Sequence, residues 1–164
     1  MVALLTFHTA FLYTPPDTCK EIPFMSASAV TSLDQNKQLV IRWFEEVWNQ
    51  GNRDTIAQLF APDGVLYDGD RIIRGPAEFE KFYDRLRAVF SNFKISPVLA
   101  LAEGDLACVH WFSECKHIAT GKIAHVTGTS IVRIKDGRFV EAWQNWDAAG
   151  LAAQLSDQPP AQLY

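Results

Sequence analysis

Residues 106–146 read LACVHWFSECKHIATGKIAHVTGTSIVRIKDGRFVEAWQNW, and the punctuation of this stretch decides the fold. Three runs, 106–118, 123–135 and 138–146, are rich in Val, Ile, Phe, Trp and Thr. They are separated by Thr120-Gly121-Lys122 and by Asp136-Gly137. Such runs suit a pleated, half-buried surface, and Asp-Gly between two of them is a hairpin signal because glycine adopts the positive φ of a tight turn. Just upstream, 93–102 has the same composition and stops at Glu103-Gly104-Asp105. The pattern predicts a meander of four antiparallel strands.

Working outward towards the N-terminus, the period changes from two to about 3.6. Phe79, Phe82, Tyr83, Leu86, Val89 and Phe90 mark one face of a helix that starts at Pro76. A short helix over 54–60 buries Ile56, Leu59 and Phe60 and ends at Pro62-Asp63-Gly64, after which 65–68 reads as a short strand. Earlier still, Leu39, Val40, Trp43, Phe44, Val47 and Trp48 repeat at helical spacing, with Ser32 or Asp34 as N-cap and Gly51 as the stop. A final short helix covers 147–155. Three helices followed by a meander of strands define an α+β domain in which helices cover one face of a sheet.

The length of 164 residues fits one domain, and 48% hydrophobic content supplies an ordinary core. With 19 acidic against 15 basic residues and no basic cluster, nucleic acid is not an expected partner. No apolar run approaches the roughly 20 residues of a membrane-spanning helix. Cys19, Cys108 and Cys115 form neither a disulfide framework nor a zinc spacing. Cys108 and Cys115 on one strand lie roughly 23 Å apart, too far to bridge. Cys115 and His117 share a strand face but lack a third ligand, so no metal is expected. Reduced thiols fit a cytoplasmic setting.

Residues 1–30 lack a period that matches a packed element and read as an N-terminal extension, with Met25 as an alternative start. The domain is then 31–155, followed by a tail over 156–164. The strand from Leu106 is apolar on both faces, since Ala107, Val109 and Trp111 alternate with Leu106, Cys108 and Phe112. One face meets the helices, and the other predicts a homodimer through the sheet.

In this order, a set of short phrases resembles the SnoaL-like polyketide cyclase and ester cyclase branch of the nuclear-transport-factor-2-like superfamily. They are Trp48-Asn49-Gln50-Gly51-Asn52, Leu59-Phe60-Ala61-Pro62-Asp63-Gly64, Arg74-Gly75-Pro76, Glu103-Gly104-Asp105, Val132-Arg133-Ile134-Lys135-Asp136-Gly137, and Glu141-Ala142-Trp143 leading to Asp147-Ala148-Ala149-Gly150-Leu151. The resemblance implies a cone-shaped barrel, three N-terminal helices on a strongly curved antiparallel sheet, enclosing an apolar pocket for a small hydrophobic molecule. It also implies cofactor-independent cyclase or isomerase chemistry, in which an aspartate exchanges a proton beside a carbonyl. Asp147 matches that aspartate best, with Gln144 or Asn145 to hold an enolate oxygen. The same Asp147 is placed to N-cap the last helix, and both roles stand open.

His110, His117 and His125 fall on predicted strands, and His117, just before the Thr-Gly turn, is the second proton-transfer candidate beside an inert, solvated reading. Trp43, Tyr67, His110, Trp111, Trp143 and Asn145 are the expected pocket-lining residues. Tyr67 and Asp68 end the first strand, which the resemblance implies borders the cavity, while Asp68-Gly69-Asp70 is also simple turn chemistry. No Arg-x-Asp pair stands on the second long strand, which disfavours the epoxide hydrolysis of related enzymes. A non-catalytic binding or dimerisation module of the same fold is the rival reading.

Overall fold

The computed structural model describes residues 27–156. The expected extension and tail, with Cys19, lie almost wholly outside that span; helix α1 nonetheless begins at Ala27, so residues 27–30 are helical. α1 (Ala27–Arg42) passes without a break into a π-helical segment, Trp43–Asn49, closed by Gln50 N–H donating to Glu45 O at 2.9 Å. The wider turn keeps Phe44, Val47 and Trp48 together on the buried face. α2 (Asp54–Leu59) and α3 (Gly75–Val89) follow, with Pro76 in the first turn of α3 and Phe79, Phe82 and Tyr83 buried. Tyr83 donates its hydroxyl to Val47 O at 3.1 Å, and the Arg87 guanidinium donates to Trp48 O, so α3 closes the end of the π-helical segment. α4 (Ala148–Leu155) comes last.

Among the described residues, the strands β1 (Phe60–Asp68), β2 (Arg71–Arg74), β3 (Phe90–Glu103), β4 (Leu106–His117), β5 (Ile123–Lys135) and β6 (Arg138–Trp146) form one sheet. Their order is β2-β1-β6-β5-β4-β3. The four late strands pair as the predicted antiparallel meander. Two expectations are corrected. β1 runs parallel to β6, so the sheet is mixed rather than antiparallel. Its two end strands, β2 and β3, do not pair with each other among the described residues, so it is an open sheet and not a closed barrel. The ladder leaves β3 unpaired on one side, and there Pro97 lies at a register shift, where a missing N–H breaks no ladder.

Strand alternation divides the sheet residues into two sets. Leu66, Ala142, Val132, Val109 and Ala107 are buried under the helices. The opposite face carries Tyr67, Trp143, Ile131, Cys108 and Leu101, which are register partners across five strands. Ile131 and Leu101 remain 38% and 57% exposed, so an apolar stripe crosses this outer face.

Gly75 makes the corner between β2 and α3. Its φ is +65°, and a Cβ there would lie 2.6 Å from Pro62 O. Backbone strain at such a position amounts to about 1–3 kcal/mol. Gly75→Ala is expected to lower the melting temperature by about 3–10 °C, measured by calorimetry, and an unchanged value would show that the corner relaxes freely.

Candidate functional site

Three inward-facing polar side chains stand side by side across neighbouring strands. Asp68 on β1 is the register partner of Gln144 on β6, and Gln144 is the register partner of Ser130 on β5. Strands lie about 4.8 Å apart, so the row spans about 10 Å. The rest of the inner face at this level is apolar.

Each member of the row is held by a different neighbour. The Trp146 indole N–H donates to Asp68 Oδ1 at 2.8 Å. Asp68 Oδ2 is buried with no hydrogen-bond partner among the described residues, and the exposed Arg71 Nη1 stands 3.8 Å from it. A buried carboxylate oxygen with a free lone pair is costly unless something else uses it. Trp111 Nε1–H donates to Ser130 Oγ at 3.1 Å, which leaves the hydroxyl proton free to donate. The Gln144 amide has no side-chain partner among the described residues.

Gln144 borders three adjoining spaces. An outer apolar lobe lies against Trp48, Phe90, Phe93, Trp111 and Trp146, and a deeper one against Val40, Phe60, Leu66 and Phe79. Phe44 and Trp48 wall both lobes. A polar mouth is formed by Asp68, Asp70, Arg71 and Asn145. Gly128 matters to the outer lobe, because a Cβ there would collide with the Trp111 ring. Cys115 also lines the outer lobe, and burial, with a smaller contribution from the Glu114 charge, pushes its thiol up from the ordinary value. A thiol so held stays protonated at neutral pH and is a poor nucleophile.

The structure gathers some of the sequence-predicted residues here and not others. Trp111 and Trp43 line the outer and the deep lobe. Asn145 is exposed at the mouth. Tyr67 and Trp143 stack on each other on the outer face, with centroids 6.1 Å apart and planes at 16°. His110 is exposed on that same outer face, its Nδ1 3.0 Å from Gly128 O. His117 sits at the end of β4, its Nδ1 2.8 Å from Thr120 Oγ1 and its ring beside Phe90. Asp147 is exposed and accepts from Gly150 N–H at 2.8 Å, which makes it the N-cap of α4. Neither His117 nor Asp147 borders the three spaces just described. Among the described residues no group of three or more His, Cys, Asp or Glu side chains has the arrangement of a metal site.

The residues of the row had a signal in the sequence: strand phase. Asp68 is in phase with buried Leu66, Gln144 with buried Ala142, and Ser130 with buried Val132. Because asparagine caps nearly as well as aspartate, Asp147→Asn is expected to leave the melting temperature within about 2 °C of wild type. Asp147→Ala should lose about 1 kcal/mol. A large loss for the asparagine variant would mean that the carboxylate charge does more than cap.

The fold is the α+β architecture of ketosteroid-isomerase-like, or nuclear-transport-factor-2-like, proteins. The sequence model of the SnoaL-like domain matches residues 40–142, and the chain belongs to that family. Among solved structures, a “putative SnoaL-like polyketide cyclase” from Jannaschia sp. CCS1 superposes with a TM-score of 0.70 at 20% identity, over 77% of this chain and 94% of that one. IdmH, a “putative polyketide cyclase” from Streptomyces antibioticus, gives 0.66 at 23% identity, over 74% and 98%. A protein with a ketosteroid isomerase-like fold from Catenulispora acidiphila gives 0.66 at 18% identity, over 71% and 91%. No curated protein matches the chain. Among the described residues no helix is long and apolar enough to cross a membrane.

Proposed function

We propose that this protein is a cofactor-independent cyclase or isomerase that moves a proton at the carbon beside a carbonyl of a small hydrophobic compound. The observation that carries the reading is the row Asp68–Gln144–Ser130, which runs from the polar mouth to the junction of two mainly apolar lobes. The similarity to proteins named as polyketide cyclases agrees with it. In this reading the two lobes are the blind pocket of a cone, entered at the polar mouth.

The carbonyl oxygen sits at Gln144 and Ser130, and the adjoining carbon lies towards Asp68. Asp68 Oδ2 takes a proton from that carbon, and the electron pair moves onto the oxygen as an enolate. The Gln144 N–H and the Ser130 O–H donate to the developing charge in a site with little water. Trp146 positions the base by holding Oδ1, which leaves Oδ2 for the substrate. Return of the proton to a different carbon gives isomerisation. Attack of the enolate carbon on a second carbonyl of the same molecule forms a carbon–carbon bond, and the proton passes to the new alkoxide, which gives cyclisation. Asp68 rather than Asp147 or His117 takes the proton-transfer role, because Asp68 borders one of the three spaces around Gln144 and the other two border none.

We also propose that the protein is a homodimer through the outer stripe of the sheet. A flat row of five mainly apolar side chains across five strands is the kind of surface that a second copy covers. The enzymatic reading is tested with 1-tetralone, a flat ketone, in deuterium oxide. Incorporation of deuterium beside the carbonyl, followed by NMR, should exceed that in buffer and in heat-denatured protein.

A further inference from the structure

The two apolar lobes differ in size. Counting the room for the centre of a water-sized atom, the outer lobe has about 80 Å³ and the deep lobe about 40 Å³. Aromatic rings make up half of the outer lobe's wall, among them Phe93, Trp111 and Trp146. Rings stacked or packed edge-to-face gain about 0.5–1.5 kcal/mol beyond their burial, and with twice the room this lobe is the better place for a flat aromatic group. The deep lobe sets the aliphatic Val40, Leu66, Val132 and Ala142 beside aromatic rings such as Trp43, Phe60 and Phe79, so its smaller volume is what separates it from the outer lobe. One water needs about 10–15 Å³ of such space, so the deep lobe has room for a short alkyl chain.

The polar groups fall where the lobes meet. Gln144 borders both lobes and Ser130 borders the deep one. On β1, Asp68 and Leu66 face the same way, two residues apart, which is about 7 Å. Asp68 borders the polar mouth beside Gln144 and Leu66 borders the deep lobe, so a chain that runs from Gln144 into the deep lobe starts on the Asp68 side and ends against Leu66.

We infer that the site takes a ketone whose carbonyl carries an aromatic ring on one side and a short alkyl arm on the other. The ring occupies the outer lobe, the oxygen lies at Gln144 and Ser130, and the arm fills the deep lobe. This assignment rests on the proposed role of the Asp68–Gln144–Ser130 row.

Acetophenone, butyrophenone and hexanophenone differ only in the length of that arm. Their binding to the full chain is measured by titration of the tryptophan indole N–H signals in nitrogen-15 spectra. Signals of Trp111 and Trp146 should shift, while Trp143 on the outer face should not. A buried methylene contributes about 0.8 kcal/mol, so butyrophenone should bind about tenfold more tightly than acetophenone. Hexanophenone should bind within about threefold of butyrophenone, since its last carbons exceed the lobe. Ala142→Leu fills the deep lobe and should erase the gain while leaving acetophenone affinity within twofold. Leu66→Phe fills the same lobe from β1 and serves if the first variant loses its dispersed spectrum. Gln144→Leu should weaken all three ketones by a common factor of about two to ten and keep the gain with length.

Equal affinity of acetophenone and butyrophenone for the wild type overturns the inference, as does a gain that survives in either lobe-filling variant. The same series measured with Asp68→Asn separates this result from the proton-transfer reading. Binding that follows arm length without any isotope exchange overturns the chemistry alone. Exchange without dependence on arm length overturns the two-lobe assignment alone.

Discussion

Asp68→Asn is expected to lower the rate of isotope exchange into 1-tetralone by about 10²- to 10⁴-fold, while ketone affinity changes by less than about threefold. The size follows from what the substitution keeps. Asparagine has nearly the same shape, and its Oδ1 still accepts the Trp146 indole N–H seen at 2.8 Å. What it lacks is a lone pair basic enough to take a proton from carbon. The new amide donor faces the position of Oδ2, which has no hydrogen-bond partner among the described residues. An unsatisfied buried donor costs about 1–3 kcal/mol, and loss of a buried charge works in the opposite direction. The variant should therefore stay folded, which the Trp146 indole signal reports directly. Exchange at the wild-type rate in a folded Asp68→Asn protein would remove Asp68 from the mechanism.

Ile131→Asp is expected to convert a dimer into a monomer. Ile131 lies in the middle of the outer stripe, between Trp143 on β6 and Cys108 on β4. In a two-fold interface each copy brings its own charge to the contact, and neither finds a partner. An uncompensated buried charge costs about 3–5 kcal/mol, so the dissociation constant should rise by at least about 10³-fold. Sedimentation at micromolar concentration should give twice the 18.4 kDa chain mass for the wild type and the single mass for the variant. A wild-type monomer would show that the stripe is not an interface between copies of this chain. Because Ile131 is on the face opposite the polar row, the monomer should retain exchange activity unless the site depends on the dimer.

Much of the fold was legible because its signals are local. The late strands are bounded by Gly104, Gly121 and Gly137, all at positive φ, and their alternation is regular enough to set length and register. β1 was less readable. Pro62-Asp63-Gly64 looks like the end of a helix and the start of a turn, yet it forms the irregularity between Phe60 and Val65 within a single strand. The parallel pairing of β1 with β6 joins residues far apart in sequence, and no short window carries it. The π-helical segment at Trp43–Asn49 had no signal either, since its residues suit an α-helix equally well.

The site divides along the same line. Trp43 and Trp111 were identified by apolar spacing, which the packing respects. Asp147 attracted the catalytic role through its place in a family phrase, and the local cap to Gly150 took precedence. Asp68 ends a strand that in this fold commonly borders the cavity, yet Asp68-Gly69-Asp70 is equally turn chemistry, and its phase with Leu66 is what points the side chain inward. Gln144 and Asn145 were alternatives for one role. The structure places Gln144 at the junction of the lobes and Asn145 at the exposed mouth.

The central claim is that Asp68 moves a proton at a carbon whose carbonyl is held by Gln144 and Ser130. A base fixed on one strand approaches the bound ketone from one side, so it removes one of the two hydrogens on that carbon. The decisive measurement is therefore the stereochemistry of deuterium incorporation into 1-tetralone by the wild-type protein. The account predicts exchange above buffer at one of the two hydrogens. Equal exchange of both, or none above buffer with a ketone shown to bind, would contradict it.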